Sequence, residues 1–137
     1  MLLLMAGGGA FNPRPQFSAY ATSKAGVVSL METLAAELAG RVAVNCVSPG
    51  CVPTPIHAPL AAAGMAVPED DGGASMRRAV DCIRHLLGPE ARGLTGKSVS
   101  AVHDDWRSIR ADMVPAINES AVWTRTRVSA REGVTVS

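Results

Sequence analysis

Tyr20 and Lys24 stand four residues apart at the start of a long segment of helical spacing, Ser18–Ala39. On a helix that interval stacks the two side chains on one face. An ammonium held near a phenol favours the phenolate. Such a phenol can pass a proton to or from an alcohol or carbonyl oxygen while hydride moves elsewhere, and the lysine can also hold a ribose hydroxyl. Taken alone the spacing is a weak signal, because a solvated helix end satisfies it equally well.

The elements that must position this pair follow from the apolar pattern. Leu2–Ala6 is continuously apolar and reads as a short buried strand. Gly7-Gly8-Gly9 ends it, but Asn12 stands where a GxGxxG turn needs its third glycine. Pro13 and Pro15 block the helix that would hold phosphate there, so Gly7–Gln16 reads as a flexible loop. Ser18 is the expected N-cap of the next helix, Val27, Leu30, Met31, Leu34, Ala35 and Leu38 keep its spacing, and Gly40 stops it.

Val42–Val47 is the next expected strand, apolar and β-branched with Asn45 inside it. Ser48-Pro49-Gly50 breaks it, and Pro53, Pro55 and Pro59 keep the following loop extended. A short helix over Ala58–Met65 leads to an acidic, glycine-rich stretch, Val67–Ala74, and then to a helix over Ser75–Leu87 that ends at Gly88-Pro89. Lys97–Val102 reads as a third strand. Asp104 or Asp105 is expected to cap a helix to about Ala111, with Pro115 barring its continuation. Periodicity fades from Asn118, so the expected organisation is one domain over 1–117 and a loosely held tail over 118–137. Strand, helix, strand, helix, strand implies an α/β architecture of about three parallel strands with crossover helices.

Composition removes several function classes. A chain of 137 residues with 47% hydrophobic and 18% charged residues is one globular domain's worth. A formal charge of +1 and few aromatics give no case for nucleic acid or a membrane surface as partner. The apolar opening Met1–Met5 is too short for a signal-peptide core or a membrane span. Cys46, Cys51 and Cys82 form neither a disulfide framework nor a zinc spacing and read as reduced, buried thiols of a cytoplasmic protein. His57, His85 and His103 lack metal-ligand spacing, so no metal is expected. ARGLTGKS departs from a P-loop at Ala91 and runs on into a strand.

The run FSAYATSKAGVVSLMETLAAEL followed by VAVNCVSPGCVPT resembles the active-site helix, next strand and nicotinamide-side loop of the short-chain dehydrogenase/reductase family. GLTGKSVSA resembles that family's last strand, and HDDW one subgroup's C-terminal segment, so the resemblance covers about Leu2–Ser108. It implies an NAD- or NADP-dependent oxidoreductase that moves hydride between nicotinamide and a small-molecule alcohol or carbonyl. Tyr20 would be the general acid/base and Lys24 its electrostatic and ribose-binding partner. Pro49, Gly50, Val52 and Thr54 would contact the nicotinamide end, with Ile56 to about Ala74 covering substrate.

The family's serine, usually thirteen or fourteen residues before the tyrosine, falls on Gly7 or Ala6, which lack a hydroxyl. The nucleotide-binding half would lie upstream of Met1. The expected fold is therefore a partial doubly wound (Rossmann-like) sheet, its C-terminal half, with activity impaired as given. The competing expectation is a non-catalytic fold remnant or an association module that pairs with complete homologues. Its partners would be further copies of itself or a complementary chain, because a short sheet leaves edges and apolar faces open.

Overall fold

The computed structural model describes residues 1–62, 64 and 66–124. Its strands are β1 (Leu2–Met5), β2 (Val44–Ser48) and β3 (Ser98–Ser100), and its helices α1 (Ser18–Glu37), α2 (Ala58–Ala62), α3 (Ala74–Leu87) and α4 (Val114–Glu119). The strands form one parallel sheet in the order β1-β2-β3, with Leu2 opposite Val44 and Cys46 opposite Ser98. This is the expected three-stranded, Rossmann-like α/β arrangement.

Alternation along the strands sorts the core into two layers. Val44 and Cys46 pack with Ala6 and with Val28, Met31 and Ala35 of α1. Val47 points the other way and joins Cys82 and Leu86 of α3, together with Leu94, Val99, Trp106 and Ile109. Leu4 and Leu3 of β1 divide in the same sense. The sheet thus carries a helix on each face, and every residue of β2 is buried. A strand covered on both sides has no solvent-facing polar face, and the two polar residues of β2, Asn45 and Ser48, are buried with Val44, Cys46 and Val47.

Boundaries differ from the sequence pattern where tertiary contacts intervene. Ser18 is the first residue of α1, not its cap; Phe17 occupies the cap position and no side chain caps the helix. The helix ends at Glu37, and Gly40 adopts φ +74 just beyond it. Gly7–Gln16 is not featureless: Gly8–Ala10 forms a 3-10 turn against α1. The helix expected after Asp104 and Asp105 shrinks to one 3-10 turn, Trp106–Ser108. Asp104 Oδ2 instead accepts from Ser100 N (2.6 Å), closing a turn after β3, and Trp106 Nε1 donates to Ala101 O (3.2 Å). Pro115 begins a helix rather than barring one. It lies in the first turn of α4, where a missing N–H leaves no intrahelical bond unmade.

Of the tail placed at 118–137, residues 118–124 are described, and these are tied to β3. Ser98 N donates to Trp123 O (2.8 Å), and Lys97 Nζ donates to Ser120 O (2.7 Å). Thr95 N donates to Asn118 Oδ1 (3.1 Å). Residues 125–137 lie outside the described residues.

One buried polar side chain ties β2 to the segment that leads into β3. Asn45 is fully buried; its Nδ2 donates to Leu94 O (2.7 Å) and its Oδ1 accepts from Lys97 N (3.1 Å). Asn45→Ala would leave both backbone groups without their partner in a dry site. The expected cost is about 1–3 kcal/mol, read as a lower denaturant midpoint with an unchanged slope.

Lys97 is buried, and burial pushes its ammonium below the usual lysine range. The folded protein therefore holds that proton less tightly than the unfolded chain. Stability should rise as pH climbs through the depressed pKa towards the ordinary lysine range. Lys97→Met should lack that component of the slope when denaturation midpoints of the two proteins are compared over the alkaline range.

Candidate active site

Helix α1 starts beside the carboxyl end of β1, so its first two turns present Tyr20 and Lys24 at that end. Lys24 Nζ donates to Met5 O (3.2 Å), the last carbonyl of β1, and lies 5.8 Å from the centroid of the Tyr20 ring. Tyr20 remains 45% exposed. An ammonium has three donors, and only one is directed at Met5 O. Among the described residues no second hydrogen bond from Lys24 Nζ is present, which leaves donors that a ligand's hydroxyls could meet.

The loop after β2 reaches the same end of the sheet. Met5 is opposite Val47, and Ala6 N donates to Val47 O (2.9 Å), so the carboxyl ends of β1 and β2 are adjacent. Pro49–Thr54 continues from β2 without regular structure. Gly50 takes φ +89, and a β-carbon there would lie 2.5 Å from Val102 Cγ2 at the end of β3. The turn thus needs glycine twice over, for its dihedral and for its room. Val52 and Thr54 are half-buried. Thr54 O accepts from His57 N (3.0 Å) and lies 3.2 Å from His57 Nδ1. A cleft of about 260 Å³ opens beside Pro53, Thr54, His57 and Ala61. Ligands of open parallel sheets bind outside the carboxyl ends of the strands, which is where all six candidate residues fall.

The structure adds residues that the sequence reading passed over. Met5 enters through its carbonyl, which no side-chain motif encodes. Gly7 and Gly9 lie under the Tyr20 side chain, and a β-carbon at Gly7 would sit 2.5 Å from Tyr20 Oη. The triple glycine was the available signal, but its resemblance to a phosphate turn pointed to the wrong use. Ser18 is exposed.

The thiols are not part of this chemistry. Cys51 is exposed, contrary to the expectation that all three are buried. Burial, with Glu32 nearby, raises Cys46 to about 11 against a smaller opposing effect of Lys24. Burial and Asp104 raise Cys82 to about 12 despite Arg107. Neither is a ready thiolate. Among the described residues no cluster of three or more His, Cys, Asp or Glu could hold a metal, and no helix is long and apolar enough to cross a membrane.

The sheet is Rossmann-like, with Tyr20 and Lys24 at the carboxyl end of β1, and known proteins resemble the chain over parts of its length. Residues 3–64 match the short chain dehydrogenase family model. A stretch of 47 residues is 53% identical to 3beta-hydroxysteroid dehydrogenase 1 of Eggerthella lenta, covering 34% of this chain and 18% of that protein. Over 46 residues it is 50% identical to human dehydrogenase/reductase SDR family member 4, covering 33% of this chain and 16% of that protein. Among solved structures, a short chain dehydrogenase of Salmonella enterica superposes with a TM-score of 0.60 at 27% identity, covering 74% of this chain and 40% of that one. A structure of the same description from Escherichia coli, complexed with NADPH, also gives a TM-score of 0.60, at 26% identity and the same coverage. Together these findings show that the chain is similar, over the matched stretches, to short-chain dehydrogenase/reductase proteins. The chain spans less than a fifth of the curated relatives over the matched stretch and 40% of these solved structures.

Gly50→Ala tests the loop. Forcing a β-carbon into the left-handed region costs roughly 1–2 kcal/mol, and the clash with Val102 adds to it. A lower melting temperature is expected for Gly50→Ala, partly recovered when Val102→Ala removes the opposing methyl groups.

Proposed function

We propose that this chain carries the nicotinamide and substrate side of an NAD- or NADP-dependent oxidoreductase acting on a small-molecule alcohol or carbonyl. The observation that carries this reading is the Tyr20–Lys24 pair, brought to the carboxyl end of β1 with Lys24 Nζ on Met5 O, inside the stretch that matches the family model. The residues present fit the dinucleotide. Lys24 has donors to spare, and Gly50 offers a bare backbone on an exposed turn.

Bound dinucleotide would supply or accept the hydride. Tyr20 Oη takes the hydroxyl proton of an alcohol as hydride leaves the carbon, or returns it to the carbonyl oxygen in reduction. Lys24, its ammonium 5.8 Å from the Tyr20 ring centroid, is the electrostatic partner and holds a ribose hydroxyl. Pro49, Gly50, Val52 and Thr54 face the nicotinamide end, and the segment from Ile56 to about Ala74 covers substrate. With glycine and alanine at positions 7 and 6, no second hydroxyl polarises the substrate oxygen from there, so turnover is impaired relative to a site that has one. We place this activity in the cytoplasm and in residues 1–117.

One observation favours a second reading, a non-catalytic association module. Among the described residues β1 pairs only with β2, and Leu2 and Met5 are exposed on it. Such an edge accepts a strand from another copy or from a complementary chain.

A titration of the purified chain with NADH and NADPH, followed by nicotinamide fluorescence beside a thermal melt, separates the two readings. Saturable binding with a cooperative melt is the expected result. Lys24→Ala should then weaken binding by about tenfold, the order of one charge-assisted hydrogen bond. Tyr20→Phe should leave binding near wild type and lower turnover by about 10²-fold or more. A cooperative melt without binding would leave the association reading in front.

A further inference from the structure

Gly7 is extended, with φ −178 and ψ 161, a conformation open to any residue. Its backbone does not call for glycine, yet its surroundings do. A β-carbon at Gly7 would lie 2.5 Å from Tyr20 Oη and 3.6 Å from Lys24 Cγ. At Gly9 it would lie 3.1 Å from Tyr20 Cε1, 3.2 Å from Cδ1 and 3.3 Å from Ala21 Cα, which is main chain and cannot swing aside. Gly8, between them, would meet only the tip of Arg14 at 3.2 Å, and Gly26 on α1 would meet nothing within 4 Å. Of the three consecutive glycines, the two that alternate on one side are bare because Tyr20 lies on them.

We propose that Gly7 and Gly9 are positioning residues for Tyr20. They form a ledge without side chains that fixes its ring from below, while Met5 O fixes Lys24 beside it. This assignment rests on the reading of Tyr20 as acid/base, but the ledge itself stands on the packing. It has a consequence that runs against the family resemblance. Position 7 is one of the two where a serine would be expected, and Tyr20 Oη occupies the space its β-carbon needs. Gly7→Ser therefore displaces the tyrosine instead of completing the site.

The chain has one tyrosine, so every tyrosine ring signal in its spectrum belongs to Tyr20. In the full chain, nuclear Overhauser contacts are expected between the Tyr20 ring protons and the Gly9 α-protons. Gly7→Ala, Gly7→Ser and Gly9→Ala should lose them and shift the ring resonances, whereas Gly26→Ala should keep them. In turnover the same three variants should lower kcat by about tenfold or more, with the KM for NADH or NADPH within about twofold of wild type.

Melts provide a readout that does not need activity. Gly7→Ala should lower the melting temperature of wild type but not that of Tyr20→Ala, because the clash needs both partners. If Gly7→Ala alone cannot fold, its recovery in the Tyr20→Ala background supports the ledge in the same way. Unchanged ring contacts in Gly7→Ala, or an equal loss of melting temperature in both backgrounds, would overturn it. Gain of turnover in Gly7→Ser would overturn it as well. Intact ring contacts and melt coupling without turnover in wild type would support the ledge and overturn the acid/base reading alone.

Discussion

Asn45 sits fully buried in the middle of a strand, and its amide is satisfied by backbone groups. It donates to Leu94 O and accepts from Lys97 N, so the approach to β3 is bonded to β2 before the two strands begin to pair. A buried polar group tolerates few arrangements, because each misplaced partner leaves a donor or acceptor unpaired in a dry core. Apolar contacts on either face of β2 would permit a slip in register; this pair of bonds would not. With β3 set against β2, Val102 is brought up under Gly50, and the loop after β2 acquires its course.

The tyrosine–lysine pair is set by a parallel constraint on the other side of the sheet. Helix α1 packs its Val28, Met31 and Ala35 onto Val44 and Cys46, which fixes where its first turns fall relative to β1. Lys24 then finds Met5 O, and Tyr20 finds the glycine turn. No side chain caps α1, so its start is held by this packing and not by local capping. Position at the site is therefore inherited from the core, and a change in the middle of α1 would be felt at Tyr20.

Much of this was legible in the chain itself. The apolar run of β2, the helical spacing of α1 and α3, and the glycine after β2 are local patterns with local causes. What was not legible depends on partners far away in sequence. Pro115 opens α4 instead of blocking a helix because the chain turns just before it. Asp104 binds the amide of Ser100 because β3 ends where it does. Lys97, in what resembled a failed phosphate loop, donates to Ser120 O instead. The glycine triplet is the clearest case. Nothing in GGG says that a tyrosine side chain eleven to thirteen positions later will lie on it.

The two edges of the sheet are treated differently, and this bears on what the chain can do alone. At β3 the backbone of Trp123 accepts from Ser98 N, on the side facing away from β2, so that edge is partly closed by the chain's own continuation. At β1 the described residues supply no such cover, and the first charged side chain after Met1 is Arg14. Edges that remain single in solution usually carry a charge, a proline or a bulge; β1 has none of these. The tyrosine–lysine pair lies at the end of this same strand, so whatever occupies its open edge stands next to the site. The open edge and the tyrosine–lysine pair therefore share β1: a strand added there would bury Leu2 and Met5 and stiffen the carbonyl that holds Lys24.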